Sequence, residues 1–248
     1  MTYCVGLRMN AGLVFLSDTR TNAGVDNIST FPKMNTWHIP GERMVTVLSA
    51  GNLATTQAVV SILDERVRCS GGTRPSIMEA SSMFQIANMV GETLQSVIQQ
   101  SAARSNLVAS AFGATMIVGG QIIGSEPRVF LIYPEGNFIE TSDDTPFFQI
   151  GETKYGRPML VRAFDAHMSF EEAVKLLLVS FDSTVKANLS VGLPLDMQVY
   201  EADSFAIGRK FRMTQDDPYY QEISSGWGNS LRQAFADLTP FTFDKVQV

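Results

Sequence analysis

Strand-forming and helix-forming stretches come in blocks along this chain, and that blocking narrows the folds open to it more than any single motif does. Tyr3 to Met9 alternates loosely and Leu13 to Asp18 is apolar, with the turn residues Asn10-Ala11-Gly12 between them, a pattern that predicts a β-hairpin. Residues 19 to 32 contain Asn22, Gly24, Asp26, Asn27 and Ser29 and read as a loop. Lys33 opens a strand to Ile39, Pro40-Gly41-Glu42 turns it back, and Met44 to Ala50 is an apolar strand. Gly51-Asn52 then hands the chain to a helix over Leu53 to Arg68, where Val60, Leu63 and Val67 recur at helical spacing.

Ser70-Gly71-Gly72-Thr73-Arg74-Pro75 is a loop by composition. Beyond it, Ile77, Ala80, Phe84, Ala87, Gly91, Leu94 and Ile98 alternate steps of three and four, which predicts one long amphipathic helix. Five strand-like stretches follow, at Ala114 to Val118, Gln121 to Gly124, Arg128 to Tyr133, Asn137 to Glu140 and Phe147 to Ile150. Gly119-Gly120, Glu126-Pro127 and Pro134-Glu135-Gly136 punctuate them as an antiparallel meander. A helix is expected within Lys154 to Phe164, with Pro158 setting its firm start. Ser169-Phe170-Glu171-Glu172 is a capping-box pattern opening a second helix, striped by Val174, Leu177, Leu178, Phe181 and Val185 and ending near Asn188. Met197 to Tyr200 and Ser204 to Met213 form a last hairpin, Pro218 to Leu238 contains helix, and Thr239 to Val248 is a tail.

Strands, two helices, strands, two helices, strands is a segregated order that argues against βαβ units. Its faces are most simply buried as an α+β, four-layer αββα sandwich of two antiparallel sheets flanked by helices. The 248 residues, 45% of them hydrophobic, suffice for one large core, and we expect a single domain over 1–248. Nineteen Lys and Arg against 25 Asp and Glu, without charge runs, supply no nucleic-acid-binding patch and no surface for an anionic membrane. No basic and apolar leader opens the chain, and no apolar run approaches the roughly 20 residues of a bilayer span, so the expected place is the cytoplasm. Two cysteines, Cys4 and Cys69, make no disulfide framework, and with only His38 and His167 no zinc site is expected.

Chemistry concentrates at the start. A small second residue lets methionine aminopeptidase remove Met1, and Thr2 then carries a hydroxyl and a free α-amine on one residue. The amine, with an ordinary pKa of about 7.7 to 8.0, can take the hydroxyl proton, so the pair is a nucleophile with its own base. Using Cys4 in the same way would require removal of three residues, and we read it as a small buried hydrophobe. The methionines, Met78, Met83 and Met89 among them, read as core filler or subunit contacts.

Four features taken in order, Thr2 opening the first strand, Ser17-Asp18-Thr19-Arg20 closing the second, Lys33 in Pro32-Lys33-Met34, and Ser49-Ala50-Gly51 before the first helix, resemble the β-type subunits of proteasomes. That family belongs to the N-terminal nucleophile hydrolases, and within it the chain is similar to the bacterial homologues grouped as Anbu, the proposed ancestral β subunits. The likeness covers residues 2 to about 211, leaving 212–248 as a C-terminal extension. It implies Thr2 as nucleophile, Lys33 as the lysine beside it, Asp18 as the carboxylate that holds the lysine, and the backbone N–H of Gly51 as oxyanion donor. It puts Thr21, Asn22, Ser49 and Leu53 along a substrate cleft.

Singly, Asp18 reads as a cap for nearby backbone N–H groups and Lys33 as a solvated strand-end cation; the conjunction reverses both readings. The chain also departs from the family. Glu152 in Gly151-Glu152-Thr153-Lys154 stands where the family carries a supporting serine, which offers Lys33 a second carboxylate, and Asn188 and Ser190 stand in for a later aspartate and serine. The resemblance implies hydrolysis of a peptide or amide, no metal and no organic cofactor, and a homo-oligomeric ring or open spiral. It names no ATPase partner. Two further readings stay open: a proteasome-like assembly protein with little peptidase activity, and an amidase acting on small molecules.

Overall fold

The computed structural model describes residues 2–22, 28–69, 75–105 and 107–243, with the side chains of Asn22 and Ile28 left out. The loop compositions at 23–27 and 70–74, Met1, and the last tail residues, 244–248, lie outside the described residues. Strands β1 (Tyr3–Met9) and β2 (Gly12–Asp18) form the expected hairpin. The stretch read as a loop holds a small ribbon, β3 (Arg20–Asn22) with β4 (Ile28–Thr30). There follow β5 (Met34–Ile39), β6 (Arg43–Gly51), α1 (Leu53–Arg68) and α2 (Met83–Ser105). Next come β7 (Ala114–Ile122), β8 (Arg128–Ile132), β9 (Phe138–Glu140) and β10 (Phe147–Gly151). The chain continues through α3 (Arg157–Ala163), α4 (Phe170–Ala187), β11 (Leu195–Glu201), β12 (Arg209–Met213) and α5 (Pro218–Ala236).

Two five-stranded antiparallel sheets result, β10-β1-β2-β11-β12 and β5-β6-β7-β8-β9. Between them lie Cys4, Leu13, Phe15, Met44, Leu48, Ile117 and Tyr200. Helices α1 and α2 cover the outer face of the second sheet through Val59, Leu63, Ile86, Val90 and Leu94 packed against Val45, Val47 and Val118. Helices α3, α4 and α5 cover the first sheet through Leu160, Leu177, Phe181 and Tyr220 packed against Val5, Leu7 and Met197. The fold is therefore the α+β four-layer αββα sandwich.

Several boundaries differ from expectation for physical reasons. Helix α2 starts at Met83, six residues after Ile77, because Ser82 Oγ accepts from Gln85 N (3.2 Å) while Gln85 Oε1 accepts from Ser81 N (3.0 Å), a reciprocal cap that fixes the first turn. Phe84, expected on the buried stripe, is exposed, and Met83 and Ile86 are buried in its place. Gly119-Gly120 does not break a strand: β7 runs straight through it. A Cβ on Gly119 would meet the Phe15 ring at 2.5 Å and one on Gly120 the Met44 carbonyl oxygen at 2.1 Å, so these glycines permit close approach and are not turns. The expected meander stops at β9, and β10 crosses over to pair with β1. At the start of α4, Ser169 and Glu172 form the full capping box predicted for them, and Asn188 is the C-cap.

Candidate active site

The far ends of both sheets converge on Thr2. Strand β1 lies between β10 and β2, so Thr2 emerges from the middle of a sheet. Its carbonyl oxygen accepts from Glu152 N at 2.7 Å, and the next N–H, that of Tyr3, donates to Asp18 Oδ1 at 3.0 Å. The approach of β10 is close enough that a Cβ on Gly151, which has φ +83°, would sit 1.9 Å from the Thr2 oxygen. Glycine is required there by both the backbone angle and the contact.

Asp18 closes β2 and is wholly buried, while Lys33, 4% exposed, immediately precedes β5. Ser49 N donates to the Lys33 carbonyl at 3.0 Å, which ties the lysine backbone to the edge of β6. Lys33 Nζ donates to Asp18 Oδ1 at 2.6 Å and to the Arg20 carbonyl at 2.6 Å. An ammonium has three donors; among the described residues the third finds no protein partner, and Lys33 lines the cleft described below. Asp18 Oδ2 accepts from Gly192 N at 3.4 Å. Burial pushes the Asp18 carboxyl above its ordinary range, against the opposing pull of the Lys33 ammonium and the Tyr3 and Gly192 N–H groups. Asp18 thus both caps backbone N–H groups and holds a buried lysine, and the reading of Lys33 as a solvated cation does not hold.

Gly51 ends β6 with φ +116°, and a Cβ there would meet the Gly113 carbonyl oxygen at 2.5 Å and Ala114 Cα at 2.7 Å. The following Asn52 caps α1, its Oδ1 accepting from Thr55 N at 3.1 Å. A cleft of about 760 Å³ opens along this edge and gathers Thr2, Thr21, Lys33, Ser49, Gly51 and Leu53, six of the residues singled out in the sequence. Asn22 lies in β3 opposite Ile28. Phe31, Asn35 and Gln57 also line the cleft, without a signal in the sequence to select them.

The substituted support residues are drawn together on the other flank. Glu152, 7% exposed, does not pair with Lys33; its Oε2 accepts from Asn188 Nδ2 at 2.9 Å. Asn188 Oδ1 in turn accepts from Ser190 N at 2.9 Å. The same loop is pinned by Arg20, whose Nη1 donates to the Leu189 carbonyl at 3.0 Å and whose guanidinium packs where a Cβ of Gly192 would stand. Contacts therefore run in a closed circuit from the Thr2 carbonyl through Glu152 and Asn188 to the loop ending at Gly192, then through Asp18 back to Tyr3. Sequence reasoning gave no role to Tyr3 and Gly192, and Arg20 entered it only as the last residue of Ser17-Asp18-Thr19-Arg20. Only Gly151, a glycine directly after a strand, carried a signal.

Cys4 lies beside the pair, its Sγ 3.7 Å from the Ser49 carbonyl, and burial pushes its thiol up, away from the thiolate a nucleophile needs. His38 Nε2 lies 3.0 Å from the Phe205 carbonyl oxygen, and His167 is an exposed partner of Asp165. Among the described residues no three His, Cys, Asp or Glu side chains converge as metal ligands, and no helix is long and apolar enough to cross a membrane.

Comparison with known proteins agrees with the two-sheet sandwich. Residues 2–197 match the model of the proteasome subunit family, and the chain belongs to that family. Several solved structures similar to this chain are of Anbu proteins. Anbu, the ancestral beta-subunit, from Yersinia bercovieri is 46% identical, with a TM-score of 0.90 over 98% of this chain and 100% of that one. Anbu from Hyphomicrobium sp. strain MC1 is 48% identical, with a TM-score of 0.88 over 97% and 100%. The helical assembly of the Anbu complex from Pseudomonas aeruginosa contains a chain 41% identical to this one, with a TM-score of 0.91 over 99% and 100%. None of the curated proteins matches.

Proposed function

We propose that the protein is a threonine hydrolase of peptides or amides, with Thr2 as nucleophile once Met1 is removed. The observation that carries this reading is the buried Lys33–Asp18 pair at 2.6 Å, with Lys33 lining the same cleft as Thr2 and Asp18 tied to the backbone N–H of Tyr3. A buried charged pair is costly to desolvate, and its place beside a hydroxyl and an amine gives it a use. The Lys33 ammonium disfavours protonation of the α-amine by like charge, so the free base that takes the Thr2 Oγ proton is more populated. Thr2 Oγ attacks the carbonyl, the Gly51 N–H stabilises the oxyanion, and the acyl group remains as an ester on Thr2 until water releases it. An oxyanion donor of this kind contributes about 2.7 to 4 kcal/mol to the transition state.

The protein is read as one proteasome-type domain over 1–248, with 212–248 an extension beyond the residues that match the family model. Copies assemble into a ring or open spiral that restricts access to the cleft; the helical assembly of the relative from Pseudomonas aeruginosa supports this. One observation favours the rival reading of a weakly active assembly protein: Glu152 stands in the place of the family serine and is occupied by Asn188. Thr2→Ala separates the two. It is expected to abolish amide hydrolysis and leave the assembled mass intact, and unchanged turnover in that variant, measured on a peptide library, would sink the hydrolase.

A further inference from the structure

The cleft containing Thr2 adjoins another opening at this sheet edge. A second, of about 430 Å³, lies across Ala50, Gly51 and Gly151, which line both. Its own walls include Thr115, Leu131, Tyr133, Gln149, Ile150 and Thr153. The two glycines that flank Thr2 thus divide one trough into two lobes, Gly51 from the end of β6 and Gly151 from the end of β10. A carbonyl placed between Thr2 Oγ and the Gly51 N–H has two substituents, and they must depart on opposite sides. The acyl side has a place in the first lobe, against Thr21, Ser49 and Leu53.

Resting on the hydrolase reading, we propose that the second lobe is the leaving-group subsite, and that it takes an uncharged, apolar or aromatic residue on the amine side of the scissile bond. No charged side chain lines it: Leu131, Tyr133, Pro134 and Ile150 supply apolar surface, and Thr115, Gln149 and Thr153 supply only neutral polar groups. A carboxylate or ammonium entering it would lose hydration without gaining a partner of opposite charge, a cost that an apolar residue avoids. In the step itself the Thr2 Oγ–carbonyl bond forms and the carbonyl–nitrogen bond breaks. The proton taken from Oγ by the α-amine goes to the departing nitrogen, so the new amine leaves through the second lobe while the acyl ester stays in the first. A substrate that fills both lobes continues beyond the scissile bond, which selects peptides over small terminal amides.

The test uses the assembled protein with Thr2 at its N-terminus and a series of peptides identical up to the scissile carbonyl. The residue after it is Leu, Phe, Lys or Asp, and a primary amide completes the series. The expected kcat/KM for Leu and Phe exceeds that for Lys, Asp and the primary amide by about tenfold or more, the scale on which a pocket discriminates by one well-placed group. Tyr133→Lys, outside the proposed catalytic set, is expected to shift preference toward Asp by about tenfold relative to Leu with the acyl-side preference unchanged. Thr2-dependent cleavage that is indifferent to the leaving residue overturns the subsite and spares the hydrolase. Absence of Thr2-dependent cleavage across the whole series overturns both, and the wild-type ratios decide the matter even if Tyr133→Lys does not fold.

Discussion

Two buried polar residues sit toward opposite ends of the same pair of sheets and are handled differently. Asp18, at one end of β2, meets a charge: Lys33 at 2.6 Å, with the lysine lining an open cleft. Gln121, 1% exposed, lies near the other end and meets only neutral or backbone groups apart from Asp203. Its Oε1 accepts from the Tyr200 hydroxyl at 2.7 Å and from Asp203 N at 2.8 Å; its Nε2 donates to the Ser125 carbonyl and Asp203 Oδ1, each at 2.7 Å. An amide has two donors and a two-lone-pair acceptor, and here every one is used. The Gln121 cluster closes on itself and fastens the hairpin after β11 to β7. The Asp18 cluster keeps a cation whose third donor has no described protein partner. Buried polarity that is fully satisfied serves the fold, and buried charge left incomplete at a cavity points to chemistry.

Breaking each end tests that contrast. Lys33→Met leaves Asp18 buried without its cation and is expected to destabilise the protein by about 3 to 5 kcal/mol in denaturant unfolding, with hydrolysis lost. Asp18→Asn combined with Lys33→Met removes both charges; most of the stability is expected to return while hydrolysis does not. Full stability in Lys33→Met alone would show that the pair is not electrostatically coupled. Gln121→Leu is the matching cut at the other end. It strips partners from the Tyr200 hydroxyl and the Ser125 carbonyl and should cost about 1 to 3 kcal/mol, with hydrolysis per folded molecule unchanged. A loss of hydrolysis there would erase the distinction between the two ends. Ser169→Ala touches neither end; removing half of the α4 capping box is expected to cost about 1 kcal/mol, with no change in the rate at saturating substrate.

What could be read in the sequence follows the same division between side chain and backbone. Helices α1 and α4 were legible because apolar spacing and caps are written in residue identity, as at Ser169 and Glu172. Lys33 and Asp18 were named by resemblance and are paired in the structure, and six of the residues singled out in the sequence line one cleft. Gly119-Gly120 misled because glycine serves turns and close packing alike, and only the positions of Phe15 and Met44 decide between them. The crossing of β10 to β1 depends on partners more than 140 residues apart in sequence, as Cys4 and Ile150 are, and local pattern is blind to it. Arg20 and Gly192 meet Lys33 and Asp18 through main-chain groups, which residue identity does not mark; only the packing of the Arg20 guanidinium where a Gly192 side chain would stand depends on these two letters. Glu152 was found, but its partner is Asn188 where Lys33 had been anticipated, a choice of direction set by the loop at 188–192.

Chain starts ordinarily fray, and a reactive group on a fraying end spends little time aimed at anything. Here the carbonyl of Thr2 is fastened to Glu152 and the adjoining N–H to Asp18, one from each flank. The main chain on both sides of the Thr2 side chain is thus ordered when the protein folds, and on the hydrolase reading each substrate would meet a threonine whose backbone has already given up its freedom.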